Sequence, residues 1–307
     1  MKKRKEENSV SNLNMISKKT DISFNIIFIV LALICIVPVI FIFMISLSSE
    51  QSIQTNGYRM IPEAFSLDSY IFIFREGQMI LRSLGISVLV TVVGTILGVI
   101  LTTLMGYVLS RSEFKLNGFF TMVVFIPMIF NGGMISQYVV NTQFMHLKDT
   151  IWALILPLCV NSFNIVICKT FFKSNIPDSV IESAQIDGAS QFTIFRKIAL
   201  PLSKPMLATI ALFLTFGYWN DWFQSSLYIT NTKLFSLQAL LDHVQRNIEM
   251  MANNPSLGVN MQQYMNSMPK EGARMAMAII IIIPIACTYQ FFQKYFISGL
   301  TVGAVKG

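Results

Sequence analysis

The sequence predicts an all-α integral membrane protein with six transmembrane helices, first of all from its composition. Hydrophobic residues make up 53% of the 307 residues and charged residues only 13%, and the mean hydropathy is +0.59. A water-soluble domain carries about 25% charged residues. The polar side chains are therefore too few to cover a soluble globule, and a membrane environment is expected.

The second observation is that the apolar residues fall into six long runs. A hydrocarbon core of about 30 Å needs about 20 residues of helix to cross it. The runs that meet this length are 24–46, 83–109, 118–140, 150–172, 206–228 and 275–296. The first has no small-residue cleavage site after it, which favours a retained span over a cleaved signal peptide. In the third, Asn131, Gly132 and Gly133 predict a helix break, which protein or water must cover.

The distribution of basic residues predicts the orientation. With the N-terminus inside, the inner segments hold 15 of the 23 Lys and Arg residues and the outer loops hold 8. Cytoplasmic loops accumulate such residues, so we expect a multi-pass protein of the cell membrane with both termini in the cytoplasm. The predicted parts are a cytoplasmic tail 1–23, a first transmembrane helix 24–46, a five-helix core 83–296 with a polar hairpin 177–205 and an outer loop 229–274, and a cytoplasmic tail 297–307.

Several other classes of protein are disfavoured. The net charge of +7 is what this topology predicts, so it does not indicate nucleic-acid binding. The four cysteines lie in apolar runs without paired spacing, which favours neither a disulfide framework nor a zinc site. The sequence contains no Gly-x-x-x-x-Gly-Lys-Ser/Thr phosphate loop and no Ser/His/Asp or Cys/His constellation. We therefore expect no catalytic residue, no metal site and no bound cofactor in this chain.

The polar hairpin at 177–205 separates the fourth and fifth spans. Pro177 can open a first helix that Ser174 or Asn175 caps, and Gly188 suits a left-handed turn after it. Ser190 can cap a second helix, which prolines are expected to end before the next span. The apolar side of this second helix is expected at Phe192, Phe195 and Ile198. So definite a shape favours a docking element for a cytoplasmic partner over an amphipathic loop on the membrane surface.

The hairpin resembles the signature loop of binding-protein-dependent ABC importer permeases, with a Glu-Ala-Ala, a following Asp-Gly-Ala and a later Ile-x-Leu-Pro. Ser183 stands where the family usually has alanine. The C-terminal SGLTVGAVKG is similar to the tail of maltose-type permeases. The stretches NGGMISQYVV, FGYWNDWF and QKYFISGL resemble the subgroup that imports complex oligosaccharides or polysaccharides. The matching hairpin residues are Glu182, Ala184, Asp187, Gly188, Ala189, Phe195, Ile198, Leu200, Pro201 and Pro205.

The resemblance implies a type I ABC importer permease fold, in which the hairpin is the coupling helix seated on an ATP-binding subunit. It also implies a complex with a second homologous permease, two ATP-binding subunits that hold ATP and magnesium, and an extracytoplasmic sugar-binding protein. The expected coupling residues are Glu182, Ala184, Asp187, Gly188, Ala189, Phe195 and Pro201. The tail residues expected between the two ATPase subunits are Gly299, Thr301, Gly303 and Lys306.

Polar residues within the spans are candidates for the substrate path, because such residues are costly in a membrane and mark pathways or packing contacts. Aromatic faces suit sugar rings, and amides or carboxylates suit sugar hydroxyls. Aromatic belts at the interface and amides that tie helices together are the alternatives. Glycines and Gln137 at the break in the third span could also line the path. The predicted path residues are Tyr218, Trp219, Asn220, Asp221, Trp222, Asn161, Asn164 and Asn131.

The sequence therefore predicts a permease subunit of an ATP-driven carbohydrate importer, with ATP hydrolysis in a separate chain. Within the same family, an amino acid, a peptide or a metal complex is the alternative cargo. An ion-coupled secondary transporter is disfavoured, because Asp221 is nearly the only acidic residue at membrane depth and no internal repeat is seen.

Overall fold

The computed structural model describes residues 17–75, 77–252 and 270–304. These ranges are mostly helical and contain no strand, only an isolated antiparallel bridge between Ser48 and Phe65. The helices are α1 (Lys18–Ser46), α2 (Glu50–Asn56), α3 (Asp68–Arg75), α4 (Gly77–Ser110), α5 (Asn117–Ile129), α6 (Gly133–Phe144, with a π turn from Val140), α7 (Trp152–Cys159), α8 (Ser162–Asn175), α9 (Asp178–Ile186), α10 (Gln191–Leu202), α11 (Lys204–Trp219), α12 (Phe223–Tyr228), α13 (Leu237–Ala252) and α14 (Lys270–Ala304).

Within these described ranges, three single helices are long and apolar enough to cross a membrane: α1, α4 and α14. Three bent pairs pass the same test together: α5 with α6 (120°), α7 with α8 (46°) and α10 with α11 (82°). If each bent pair is one span, the described residues contain six, which is the number predicted from the sequence. The fold class is thus all-α and membrane-embedded, as the composition indicated.

The described residues fall into two compact units. The first comprises 17–70 and 270–279. Its α1 exposes its apolar side chains from Ile22 to Ile40, as a helix in contact with lipid does. At the other end of this unit, Glu50 Oε2 accepts a hydrogen bond from the Gly272 N–H (3.2 Å). The carboxylate thereby satisfies a free amide in the first turn of α14, where a negative charge also suits the helix dipole.

The second unit comprises 71–252 and 280–304. The long helix α4 lies at its centre and packs against α7, α8 and α11. The largest fully buried side chains between these helices include Phe172, Ile155, Ile210 and Leu154. This core carries the hairpin at one end, because Ile181 of α9 and Ile194 of α10 are buried in the same cluster.

Two breaks within predicted spans were not foreseen. The fourth span divides into α7 and α8: α7 contains Pro157, and the Asn161 side chain caps α8 by accepting from the Phe163 N–H (2.8 Å). The fifth run, 206–228, divides into α11 and α12. There Asp221 accepts from the Gln224 N–H at the start of α12 (3.2 Å). In both places a side chain supplies the acceptor that the free amides of a new helix need.

The ends of the hairpin helices also differ from the prediction. Ser174 and Asn175 do not cap α9, because they belong to the end of α8 and donate to carbonyls there. Pro201 does not end α10, which continues to Leu202 and stops at Ser203. A π turn over Phe195–Ala199 precedes this proline. Such a turn shifts the hydrogen-bond pattern and so accommodates the missing N–H of Pro201.

Candidate functional site

The hairpin turns sharply between α9 and α10. Gly188 has a φ of +80°, the left-handed conformation that the sequence predicted there. Its N–H donates to the Gln185 carbonyl (2.9 Å), and the Ala189 N–H donates to the Ala184 carbonyl (2.9 Å). Ser190 then caps α10 as predicted, accepting from the Thr193 N–H (3.3 Å). Every step of the turn is thus held by a local hydrogen bond.

The predicted coupling residues divide between the two faces of the hairpin. Glu182, Asp187 and Gly188 are exposed, and so is Pro201. Phe195 is buried, with its ring 5.0 Å from that of Tyr107, and Ala184 and Ala189 pack against the core. Inward-facing residues therefore fix the position of the hairpin, and the exposed ones are available to a partner.

Two apolar residues of the hairpin were not predicted as contact residues. Ile186 is 87% exposed and Phe192 is 67% exposed, and they flank the Gly188 turn. The sequence predicted that Phe192 and Phe195 share one side of α10, but Phe192 is exposed and Phe195 is buried. Large apolar side chains that stand free beside acidic ones are typical of a protein-binding surface, with an apolar centre and a polar rim. We call Glu182, Ile186, Asp187, Gly188 and Phe192 the hairpin tip.

An open groove of about 990 Å³ lies where the α5–α6 and α7–α8 pairs break. Asn131 and Asn161, both predicted path residues, line it. Each uses its side-chain oxygen as a cap: Asn131 accepts from the Gly133 N–H (2.9 Å), and Asn161 caps α8. Within the described residues, neither amide nitrogen has a hydrogen-bond partner. The other polar residues of the groove are Ser136, Gln137, Asn141 and Ser162.

The remaining predicted path residues lie elsewhere. The Tyr218 hydroxyl donates to the Ile155 carbonyl (2.7 Å), and the Trp219 indole N–H donates to the Ile281 carbonyl (3.1 Å). These bonds tie α11 to α7 and α14. Tyr218 and Trp219 therefore make packing contacts between helices, which was the alternative to a role in the substrate path. Asn164 is buried, and Asn220, Asp221 and Trp222 lie at the break after α11. None of these six lines the large groove, and their contact with a substrate stays a prediction.

The tail residues lie partly beyond what the structure describes. Helix α14 continues to Ala304, so Gly299, Thr301 and Gly303 stand on helical backbone. The predicted tail 297–307 therefore begins inside a helix. Lys306 lies outside the described residues.

A clamp between two loops holds the end of the bundle opposite the hairpin. Asp149, at a φ of +57°, accepts from the Thr230 hydroxyl (2.6 Å) and from the Thr230 and Asn231 N–H groups (2.6 and 2.9 Å). Its own N–H donates to the Tyr228 carbonyl (3.1 Å). The Thr230 hydroxyl and then the two backbone donors hold the pKa of Asp149 below its usual value.

We expect Asp149→Ala to speed amide exchange at 230 and 231 by about tenfold at pH 7, since it removes a charged acceptor. A lowered folded-state pKa means that the stabilisation is present above the unfolded pKa of about 3.9. It is lost as the pH falls through the lower folded-state value. Hydrogen exchange of variant and wild type, compared at each pH, should therefore differ at pH 7, and the difference should shrink as the pH falls below the unfolded pKa. Asp149→Asn is the control, because asparagine tolerates the positive φ and removes only the charge. Equal exchange at pH 7 in Asp149→Ala and wild type would contradict the clamp.

The family model described as "Binding-protein-dependent transport system inner membrane component" matches residues 98–302. The chain belongs to this family. It is the membrane-embedded transport subunit of an ABC transporter, and the resemblance drawn from its hairpin is confirmed. The matched range covers both the hairpin and the groove.

Two relatives from Bacillus subtilis (strain 168) match the permease over nearly its whole length. Protein LplC is 39% identical over 274 residues, which cover 89% of the permease and 90% of LplC. The polygalacturonan/rhamnogalacturonan transport system permease protein YtcP is 38% identical over 276 residues, covering 90% and 94% of the two chains.

A solved structure shares the fold. It is a bacterial ABC transporter involved in the import of the acidic polysaccharide alginate, and one of its chains is 26% identical to the permease. The superposition has a TM-score of 0.78 and covers 92% of the permease and 100% of that chain. The predicted type I importer fold is therefore confirmed.

Proposed function

We propose that this permease imports an oligosaccharide or a polysaccharide and that cargo passes along the groove at the two helix breaks. The groove carries the proposal, because its polar lining consists of amides and hydroxyls, the groups that hydrogen-bond sugar hydroxyls. The names of YtcP and of the alginate transporter point to the same class of cargo. None of the described residues that line the groove is charged. We therefore expect it to contact hydroxyl and ether oxygens rather than to pair with a cargo carboxylate.

The hairpin tip is the proposed docking surface for an ATP-hydrolysing subunit. Ile186 and Phe192 would enter an apolar cleft on that partner, with Glu182 and Asp187 at its polar rim. Two such subunits, which bind ATP and magnesium, would drive a rotation of the helices. A second permease and an extracytoplasmic binding protein would complete the complex. On this proposal, both termini lie in the cytoplasm with the hairpin, and the tail from Gly299 to Lys306 approaches the ATPase pair.

The proposal is tested by ATP hydrolysis of the assembled complex in lipid, with its binding protein and a panel of neutral and acidic saccharides. One saccharide class should stimulate hydrolysis and be transported into vesicles. An amino-acid or peptide mixture serves as the comparison, because it represents the alternative cargo. Stimulation by that mixture and by no saccharide would overturn the carbohydrate assignment.

Gln137 offers a direct test of the groove. Its side chain is exposed at the groove and has no hydrogen bond within the described residues. We expect Gln137→Leu to raise the half-saturating saccharide concentration by about 5–10-fold, as the loss of one or two hydrogen bonds does. Maximal ATP hydrolysis should stay unchanged. Gln143→Leu is the matched control, because Gln143 is an exposed glutamine on α6 outside the groove. An equal effect of both substitutions would show that the groove is not the binding site.

A further inference from the structure

The loop between α4 and α5 (111–116) contacts the hairpin helix α9 through side chains of both elements. Contacts with the two helices that flank the loop hold its conformation. The Asn117 amide group donates to the carbonyls of Leu109 and Arg111 (2.9 and 3.1 Å). Leu109 lies in the last turn of α4, where carbonyls lack partners within the helix. The Phe114 ring packs on Phe120 of α5 at 5.8 Å. The loop is therefore joined firmly to the ends of two membrane helices.

Arg111 is the first contact between this loop and the hairpin. It is only 8% exposed, and a buried guanidinium requires partners. Its Nη1 donates to Asp178 Oδ1 (3.4 Å), and its Nη2 donates to the Phe172 carbonyl (3.4 Å). Its Nε donates to Ser110 Oγ (3.0 Å), and the guanidinium lies 5.2 Å from the centre of the Tyr107 ring. One side chain thus joins α4, the end of α8 and the first residue of α9.

Glu113 is the second contact. Its carboxylate accepts from Gln185 Nε2 at 3.3 and 3.4 Å. Asp178 is the first residue of α9 and Gln185 the last but one, so the two contacts lie about 10 Å apart along the helix at 1.5 Å per residue. A helix attached at one point can pivot about it. Attachment near both ends fixes its direction relative to α4.

We propose that the 111–116 loop is a brace through which the hairpin and α4 move as one rigid body, with Arg111 and Glu113 as positioning residues. The inference rests on the proposed docking of the hairpin tip to an ATPase. Movement of the tip would reach the centre of the bundle through the brace, because α4 packs against α7, α8 and α11. Without the brace, α9 would move relative to α4 when the ATPase moves the tip. ATP would then be hydrolysed with less movement of the membrane helices.

The first test is substitution of the two contacts. In Arg111→Gln, we expect the stimulation of ATP hydrolysis by cargo to fall at least about fivefold, the lower range of coupling between sites, while the complex still assembles. Asp178→Asn should reduce it in the same direction, and the double variant should lose less than the two single effects combined. Lys115→Gln is the control, since it removes a charge from the same loop at a side chain exposed to solvent. Unchanged stimulation in Arg111→Gln would overturn the proposal.

The second test restores the brace covalently. Glu113→Cys with Gln185→Cys, in a chain whose four native cysteines are replaced, removes the second contact and should weaken coupling. A short bis-maleimide linker between the two thiols should restore it, because the parts joined are ones that move together. Each single-cysteine variant with the same reagent is the control. If the linker arrests transport instead, the loop and the hairpin move relative to each other and the brace is wrong.

A measurement that needs no cargo separates failure of the brace from failure of the proposed function. Hydrogen exchange at amides 178–186 should be faster in Arg111→Gln than in wild type, by about tenfold for a lost charged contact. If the wild-type complex responds to no saccharide but this exchange difference is found, the brace stands and the cargo assignment fails. If exchange is unchanged, the brace fails whatever the cargo.

Discussion

Replacing Gly188 with proline is expected to abolish the stimulation of ATP hydrolysis by cargo in an otherwise assembled complex. Gly188 has a φ of +80°, and its N–H donates to the Gln185 carbonyl at 2.9 Å. Proline holds φ near −65° and has no N–H, so the turn between α9 and α10 cannot form. The hairpin tip would lose its shape, while the buried side chains that hold α9 and α10 on the core remain.

Two alanine variants separate the backbone effect from simple crowding. A Cβ at Gly188 meets nothing within 4 Å, and the same is true at Gly118 on α5. Of these two glycines, Gly188 alone has a positive φ, so Gly188→Ala should cost about 1–2 kcal/mol. Gly118→Ala should be neutral or stabilise α5 by up to about 1 kcal/mol. Size-exclusion chromatography would measure assembly, and ATP hydrolysis in lipid would measure coupling. A fully coupled Gly188→Pro variant would show that the hairpin is not the transmitting element.

The second large effect is expected at Gly98, where α4 approaches α7 and α11 closely. A Cβ there would lie 2.7 Å from the Cys159 carbonyl oxygen and 2.7 Å from Leu214 Cδ1. The first contact is with backbone, which cannot turn aside as a side chain can. Gly98→Ala must therefore push the helices apart, and overpacking of this kind costs about 1–3 kcal/mol. We expect the melting temperature of the purified complex to fall by about 3–10 °C.

Gly85→Ala is the matched control for this prediction. Gly85 lies on the same helix, and a Cβ there has nothing within 4 Å. The two variants therefore make the same chemical change in α4, with and without a neighbour. Thermal unfolding monitored by tryptophan fluorescence would compare them. If both variants melt alike, close contact at Gly98 is not a source of stability.

The apolar runs that are long enough for a span and the turn of the hairpin could be predicted from the sequence because each follows from a local rule. Bilayer thickness fixes the length of an apolar run, and Gly188 between two cappable helices indicates a left-handed turn. The exposure of Ile186 and Phe192 was not predicted, because the partner contacts were expected at the polar residues of the hairpin. A signal was present: both are large apolar residues close to a turn that is otherwise polar.

The groove could be predicted only in part. Asn131 and Asn161 each indicated a path residue, but they are thirty positions apart and only the fold brings the two breaks together. Residues 218–222 show a second limit of prediction from residue type. An aromatic and polar stretch has the right chemistry for a sugar, yet Tyr218 and Trp219 use their polar atoms on the carbonyls of Ile155 and Ile281. Residue type does not tell which way a side chain on α11 points.

The exposure of Ile186 and Phe192 also has a consequence for the life of the protein in the cell. On the proposed topology, a newly made copy that is not yet bound to its ATP-hydrolysing subunit would expose two apolar side chains to the cytosol. Chaperones and proteases recognise such surfaces, and they continuously remove chains that expose them. Docking would hide both residues. Surplus copies would then be degraded, and the amount of permease in the membrane would follow the supply of its partner.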